Sequence, residues 1–324
     1  MNHPLHIAIL AYDGCVASGV SGFSDVLAMA NLLGKNPLFA PRVLAKRGVP
    51  VRTFSGPNLH PDAPLGAPAP ENFQWDILFV PPAVGVKTPP VELVQWTRKA
   101  HAAGTIACAA CFGVFVLASA GLLRDRPATT HWGLAESFRC RYPNIPLHTE
   151  HILLDHGDII CAGGLTAYFD LALHLITRFA SHDLAASCAR SLLLDPGRAR
   201  QTPYENLIAT SSHGDAAITE AQQWLAQNHA QPLLINELAQ TVHLSERTLL
   251  RRFKKATGRT PGGYLQALRI EHAKRLLEST SEPVDTIITR IGYTDAPSFF
   301  RRFKKLTGLT PGEYRTRFGP PRSA

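Results

Sequence analysis

Cysteine is scarce, and six in 324 residues are too few for a disulfide-built scaffold. Charge is thin as well, at 18% of residues, and with 45% apolar content that excludes a self-repelling disordered chain. The start lacks a basic region and a small-residue cleavage site: Met1-Asn2-His3-Pro4 runs straight into Leu5 to Ala11 and then Asp13. The expectation is a cytoplasmic chain with its cysteines as thiols. One charge-free run, Ala102 to Leu123, has the length of a membrane span, but Gly104, Gly113 and Gly121 divide it into a strand-like and a helix-like half. A buried strand followed by a buried helix gives the same hydropathy, so no membrane partner is expected.

What is present is unevenly spread. Residues 1–215 hold 16 Lys and Arg against 16 Asp and Glu, whereas residues 216–324 hold 17 against 9. The whole excess of +8 therefore sits in the last third, as in a neutral body carrying a module that meets a polyanion. At about 150 residues per domain, two domains are expected.

Residues 1–194 alternate strand-like and helix-like runs, the pattern of an α/β domain with a mainly parallel, flavodoxin-like sheet and helices on both faces. Strands are predicted at His6 to Ala11, Arg42 to Ala45, Asp76 to Val80, Thr105 to Ala110 and Asp158 to Cys161. Helices are predicted at Ser24 to Leu33, Val91 to Ala103, Phe112 to Ala120 and Ala167 to Phe179, with Ser55 to Pro70 a surface loop. Asp195-Pro196-Gly197, Thr202-Pro203 and Ser211-Ser212-His213-Gly214 mark residues 195–215 as a linker.

From Ala216 onward the chain reads as all-α and repeats itself at an offset of 50. Arg251-Arg252-Phe253-Lys254-Lys255, Thr257-Gly258, Thr260-Pro261-Gly262 and Tyr264 recur as Arg301-Arg302-Phe303-Lys304-Lys305, Thr307-Gly308, Thr310-Pro311-Gly312 and Tyr314. In the first copy Leu234 to Thr241 reads as a short helix, Val242-His243-Leu244 as a turn, and Ser245 as the cap of a second helix stopped by Gly258. That is helix-turn-helix spacing. Leu249 and Phe253 face the core, while Arg247, Leu250, Arg251 and Lys254 share the outer face, with Lys255 beside them. In the second copy Val284 to Ile291 is the first helix, Gly292-Tyr293 the turn and Asp295 the cap, with Phe299 and Phe303 inward and Ser298, Arg301, Arg302 and Lys305 outward. Early arginines suit guanine edges and later lysines suit phosphates. Pro261 to Ser279 supplies a connecting helix of about 27 Å, long enough to serve successive major-groove segments roughly 34 Å apart.

On these residues, 216–324 resemble the DNA-binding domain of AraC-type transcriptional regulators, with two helix-turn-helix units on a long helix. Ile235 to Ala239, Leu244-Ser245, Phe253, Gly258, Ile291-Gly292-Tyr293, Phe299 to Lys305 and Thr310-Pro311 carry the resemblance. Pro297 departs from it, replacing a side chain that relatives can use on bases.

In the body, Thr105 to Ala110 leads through Cys111-Phe112-Gly113 into a helix, with small residues where a sharp strand-to-helix turn demands them. This places the Cys111 thiol at the carboxyl edge of the sheet over a helix start, where the dipole favours thiolate and a ligand crevice is expected. With Thr129-Thr130-His131-Trp132 and Ala162-Gly163-Gly164-Leu165-Thr166-Ala167, the body is similar to the class I glutamine amidotransferase-like superfamily that includes intracellular proteases. The domain order is similar to GlxA-type regulators. Catalysis would need a base, for which His131 is the candidate, and an orienting carboxylate with oxyanion donors. Relatives carry an acidic residue near Gly19 and a Pro-Gly-Gly turn near Pro81-Pro82-Ala83. With Gly19 and Pro82 in place, a carboxylate and a compliant amide are both missing, and Asp25 reads as a solvated helix-start residue.

The resemblance therefore implies a non-catalytic sensor holding a small metabolite near Cys111, Phe112, His131 and Trp132, nitrogen-containing compounds such as amino acids or betaines fitting the family. It implies double-stranded promoter DNA and RNA polymerase as partners, a homodimer, activation of transcription, and no cofactor. A cysteine hydrolase with an appended DNA-binding domain is the alternative, and a scaffold for acidic partners a third. Cys108-Ala109-Ala110-Cys111 has redox spacing but straddles a strand end, so Cys108 reads as core. His148, His151 and His156 lack metal-ligand spacing.

Overall fold

Leu5–Leu10 (β1) is buried along its whole length, as a strand covered by helices on both faces must be. The computed structural model describes residues 3–70, 74–208 and 213–320; Met1, Asn2, Ser211 and Ser212, used above, lie outside the described residues. Its contacts divide the chain into two units, Met1–Gln201 and Thr202–Ala324.

In the first unit β1 pairs in parallel with Phe39–Ala45 (β2) on one side. Val51–Arg52 (β3) and Asn58–Leu59 (β4) form a small separate hairpin, and Ala63–Pro64 (β5) extends the main sheet beyond β2. On the other side of β1 lie Ile77–Val80 (β6), Ile106–Ala110 (β7), Ile159–Ala162 (β9) and the antiparallel edge strand Leu153–Asp155 (β8). The order β5-β2-β1-β6-β7-β9-β8 reverses direction between β1 and β6, where an open sheet leaves its crevice. Helices Ala17–Gly34 (α1), Val91–Ala102 (α2), Gly113–Ser119 (α3), Ala135–Arg141 (α4), Tyr168–Phe179 (α5) and His182–Ser191 (α6) complete the unit.

Most predicted elements fall within a residue or two of their place, and the exceptions have reasons. Helix α1 begins at Ala17 rather than Ser24, because Gly19 and Gly22 are present for close packing rather than as breakers. A Cβ on Gly19 would sit 2.7 Å from the Pro82 ring, and one on Gly22 would sit 3.0 Å from the Tyr168 ring. Asp25 is thus mid-helix and exposed, not at a helix start. Two short helices, α4 and α6, the edge strand β8 and the two-residue strands β3, β4 and β5 went unpredicted, since each is too brief to establish a period; β4 and β5 lie in the segment 55–70 that was predicted as a surface loop.

The second unit is helical, with Ala216–Gln227 (α7), Ile235–Thr241 (α8), Glu246–Thr257 (α9), Pro261–Ser279 (α10), Val284–Arg290 (α11), Ala296–Thr307 (α12) and Pro311–Phe318 (α13). The 50-residue repeat is a repeat of local physics. Ser245 and Asp295 cap α9 and α12, each accepting from the backbone N–H three residues on. Gly258 and Gly308 end them at φ 71° and 78°, the left-handed conformation that glycine adopts without strain. Phe253 packs edge-on against Tyr264 at 5.4 Å, and Phe303 against Tyr314 at 5.5 Å. The aromatic identities in the repeat thus fasten α9 and α12 each to the helix that follows it.

The stretch 195–215, predicted as a linker, is not loose where it is described. Ile152 N–H donates to Ala199 O and Gln201 N–H to Glu150 O in the first unit, while Leu207 lies in the apolar core of the second. Turn-forming composition signals absence of regular structure, not absence of contacts.

The turn between α11 and α12 is the tightest point in the second unit. Gly292 stands at φ 82°, and a Cβ there would overlap the Ala230 carbonyl. Replacing Gly292 with alanine is expected to cost about 2–3 kcal/mol, from left-handed strain plus overpacking, read as a lowered unfolding midpoint in urea. An unchanged midpoint would show that the turn can relax.

Candidate functional sites in the sheet edge and the helical module

Cys111 follows β7 with φ 54°, a conformation a non-glycine residue holds only when its surroundings impose it. Cys111 N–H donates to Ala162 O at 2.8 Å, Thr130 Oγ1 donates to Cys111 O at 2.7 Å, and a Cβ on Gly113 would overlap the Val80 carbonyl. The elbow is therefore clamped from β6, β9 and the Thr130 loop.

The thiol does not carry the charge expected of it. Cys111 is 3% exposed, and burial pushes its pKa up to about 12, although the backbone N–H groups of Phe112 and His131 pull the other way. A helix end worth a fraction of a unit charge does not overcome removal from water, so the thiol is protonated at neutral pH. Cys108 is fully buried in β7, and burial drives its thiol higher still.

His131 is placed beside the elbow, but its chemistry is committed elsewhere. Gly133 N–H donates to His131 Nδ1 at 3.0 Å, so the neutral ring carries its proton on Nε2. Burial lowers its pKa, which keeps it neutral. With one nitrogen accepting and the other protonated, the ring has no free lone pair with which to take a proton from Cys111.

The position of the missing carboxylate is filled: Pro82 packs on Gly19, and Val16 N–H donates to Pro82 O at 2.8 Å. Phe112 stacks on Phe115 at 4.9 Å and is buried, so of the four residues predicted to meet a ligand, Cys111 and Phe112 are covered. His131 and Trp132 are half-exposed, their rings 4.9 Å apart.

Gln201, which the sequence reading left in the linker, closes the same corner. Its Nε2 donates to Thr130 O at 2.9 Å and His151 O at 3.1 Å, and Trp132 N–H donates to its Oε1 at 3.4 Å. A Cβ on Gly163 would overlap the Gln201 amide. The Gly163-Gly164 pair was the only trace of this contact in the sequence.

The three histidines weighed as metal ligands, His148, His151 and His156, are spent in local contacts. His148 Nδ1 lies 3.1 Å and His151 Nε2 3.8 Å from Glu150 Oε1, and His156 Nε2 lies 2.7 Å from Pro127 O. Among the described residues no three His, Cys, Asp or Glu gather as a metal would require, and no helix is long and apolar enough to cross a membrane.

In the module, Ser245, Arg247, Leu250, Arg251, Lys254 and Lys255 are all exposed on α9. Arg252 points elsewhere: its Nε and Nη2 donate to the two oxygens of Asp215 at 3.0 and 2.6 Å, tying α9 to the start of α7. Its repeat counterpart Arg302 lies beside Tyr293. It joins Ser298, Arg301, Lys305, Gln266 and Tyr293 around one surface recess. Phe300, not singled out above, is 41% exposed at the repeat position of Leu250, itself 40% exposed. The 50-residue offset would have found it.

Residues 16–178, half of the chain, match the DJ-1/PfpI family. The chain belongs to the DJ-1/PfpI family. Residues 238–317 match a helix-turn-helix domain, which follows the DJ-1/PfpI domain as an AraC-type module. The HTH-type transcriptional regulator GbdR of Pseudomonas aeruginosa is 27% identical over 99% of this chain and 84% of its own length. CdhR of the same organism, also an HTH-type transcriptional regulator, is 30% identical over 90% of this chain and 85% of its own. An AraC family transcriptional regulator from Pseudomonas putida shares the fold, with a TM-score of 0.51 and 23% identity over 58% of this chain and 100% of that one.

The burial of the thiols in this DJ-1/PfpI domain has two readable consequences. At pH 8 a thiol reagent should react at once with Cys140, the one exposed cysteine, and with the other five only on unfolding; a second fast thiol would contradict the burial of Cys111. Cys15, Cys108, Cys111, Cys161 and Cys188 are all raised. Once pH exceeds the unfolded thiol value of about 8.5, the unfolded chain loses protons that the folded chain keeps. Stability is then full below about pH 8.5 and should fall as pH rises, which thermal melts from pH 7 to 10 would record.

Proposed function

We propose that this regulator holds promoter DNA with both recognition helices and answers to a small metabolite bound by its DJ-1/PfpI domain. The observation that carries the DNA reading is the repeat itself, two helices with the same cap, stop and anchors, each presenting arginines and lysines outward. On α9, Arg247 and Arg251 read base edges, Leu250 covers a thymine methyl, and Lys254 and Lys255 take phosphates. On α12, Pro297 removes one base contact, so Arg301 and Phe300 read, while Ser298, Arg302 and Lys305 hold the backbone.

The chain is not an enzyme. Its relatives over nearly its full length are named as transcriptional regulators, and the elbow offers a protonated thiol beside a histidine with no free lone pair. A cysteine hydrolase would need both reversed. The metabolite instead meets the half-exposed His131 and Trp132 at the rim of the elbow, with Cys111 and Phe112 beneath. Nitrogen-containing compounds such as amino acids and betaines are the class to try. We place the protein in the cytoplasm, as a homodimer that activates transcription with RNA polymerase.

The test of DNA reading uses the full chain and a duplex selected by it from a random pool. Arg251→Ala and Arg301→Ala should each weaken the selected duplex by about 1–3 kcal/mol and relax preference at one position. Lys255→Ala should weaken all duplexes alike and lower the salt slope by about 1. Equal loss on every duplex in all three variants would overturn base reading by these helices. For the sensor, a thermal-shift panel of amino acids and betaines should contain a compound that raises the midpoint, an effect removed by Trp132→Ala. A panel without any shift would count against this ligand class.

A further inference from the structure

The chain between the sensor and the DNA-binding module is anchored within each unit up to a single peptide bond. On the sensor side, Arg198 pairs with Asp170 at the start of α5, and burial raises the Asp170 carboxyl despite that partner. Ala199 is held by Ile152, and Gln201 is 3% exposed, its amide inserted among Thr130, His151 and Trp132. On the module side, Thr202 Oγ1 donates to Thr307 O, the last residue of α12, at 3.2 Å. Pro203 is buried, and Tyr204 stacks edge-on with Phe318 at 5.4 Å.

The next residues are held by charge. Lys274 Nζ donates to Glu205 O at 2.6 Å, and Leu207 N–H donates to Glu271 Oε1 at 2.9 Å. Glu271 and Lys274 are a buried pair 2.8 Å apart on α10, the helix joining the two helix-turn-helix units. Leu207 enters the core formed by Ile287, Phe299 and Phe303, and Ile208 packs against both apolar clusters of the helical module. Gln201 is thus the last residue anchored on the first unit and Thr202 the first anchored on the second.

We propose that residues 198–208 are a strap carrying the state of the sensor to the second recognition helix, with Gln201 as the positioning residue. This deepens the regulator reading and rests on it. The carbonyl of Thr130 and the N–H of Trp132, which hold Gln201, belong to the same four-residue run as His131. A ligand that moves His131 or Trp132 must therefore either carry the Gln201 amide with it or strand a buried polar group. Thr202 follows at one residue's spacing, about 3.8 Å, so displacement at Gln201 arrives at the end of α12. The strap has two states, seated and unseated, and a ligand acts only by preferring one.

Hydrogen exchange on the full chain tests this without an effector. Gln201→Met keeps the volume and removes the hydrogen bonds; the double variant Glu271→Leu/Lys274→Met unseats the other end. Gln201→Met should speed exchange about 5-fold or more in residues 204–208, and the double variant should do the same in residues 128–134, since coupling is reciprocal. Thr202→Val, which loses one hydroxyl, serves if Gln201→Met does not fold, with its effect again sought in residues 128–134. Changes confined to the unit that carries the substitution, or absent from both, would overturn the strap. Duplex binding measured on the same samples separates the two ideas: coupled exchange in a chain that binds no duplex leaves the strap standing and fails the regulator reading, while uncoupled exchange with intact binding does the reverse.

Discussion

The state of the body follows from the exclusion of water at the carboxyl edge of its sheet. The Cys111 thiol is 3% exposed and close to the buried Tyr12, so far from water that charge on it is unfavourable in spite of two backbone N–H groups nearby. In an enzyme of this geometry the same elbow would face an open crevice with a carboxylate and a histidine ready to share the proton. Here Pro82 occupies the space over Gly19, and His131 Nδ1 is engaged by Gly133. The elbow thus combines backbone strain at Cys111 with an uncharged thiol, a rigid corner held by the Thr130 hydroxyl and the Ala162 carbonyl.

The module is built on the opposite logic, burying only what fastens and exposing everything charged. Phe253 against Tyr264 and Phe303 against Tyr314 fix each recognition helix to its successor, so the orientation of the basic face is decided from behind. The two copies then diverge where their partners differ. Asp215 pairs with Arg252, whereas Arg302 shares a recess with Arg301 and Lys305. Two helices alike in cap geometry and glycine stop thereby stand in unequal electrostatic surroundings.

The helical repeat was legible because caps, glycine stops and apolar spacing are local, and local signals survive in a bare sequence. The elbow was legible for the same reason, Gly113 being demanded by the approach of the Val80 carbonyl. Helix α1 was half hidden because Gly19 and Gly22 answer to Pro82 and Tyr168, residues far along the chain. The protonation of Cys111 was misread, since a helix dipole is visible in a pattern and burial by a distant loop is not. Gln201 was missed outright: the partners of its side chain lie 50 to 72 residues away and two of them are backbone carbonyls, which no residue type announces.

Glu271 and Lys274 show why such a contact deserves a structural reading. Burying two charges is expensive, and their mutual attraction alone rarely offsets it, so an apolar pair on α10 would serve stability at least as well. What an apolar pair lacks is direction. The carboxylate of Glu271 accepts the Leu207 N–H and the ammonium of Lys274 donates to the Glu205 carbonyl, two complementary demands separated by two residues. Sliding the segment by one residue would break both charge-assisted hydrogen bonds at once, at about 1.5–3 kcal/mol each. The pair thus sets the register of the segment on α10, and with it the position of Thr202 under the end of α12.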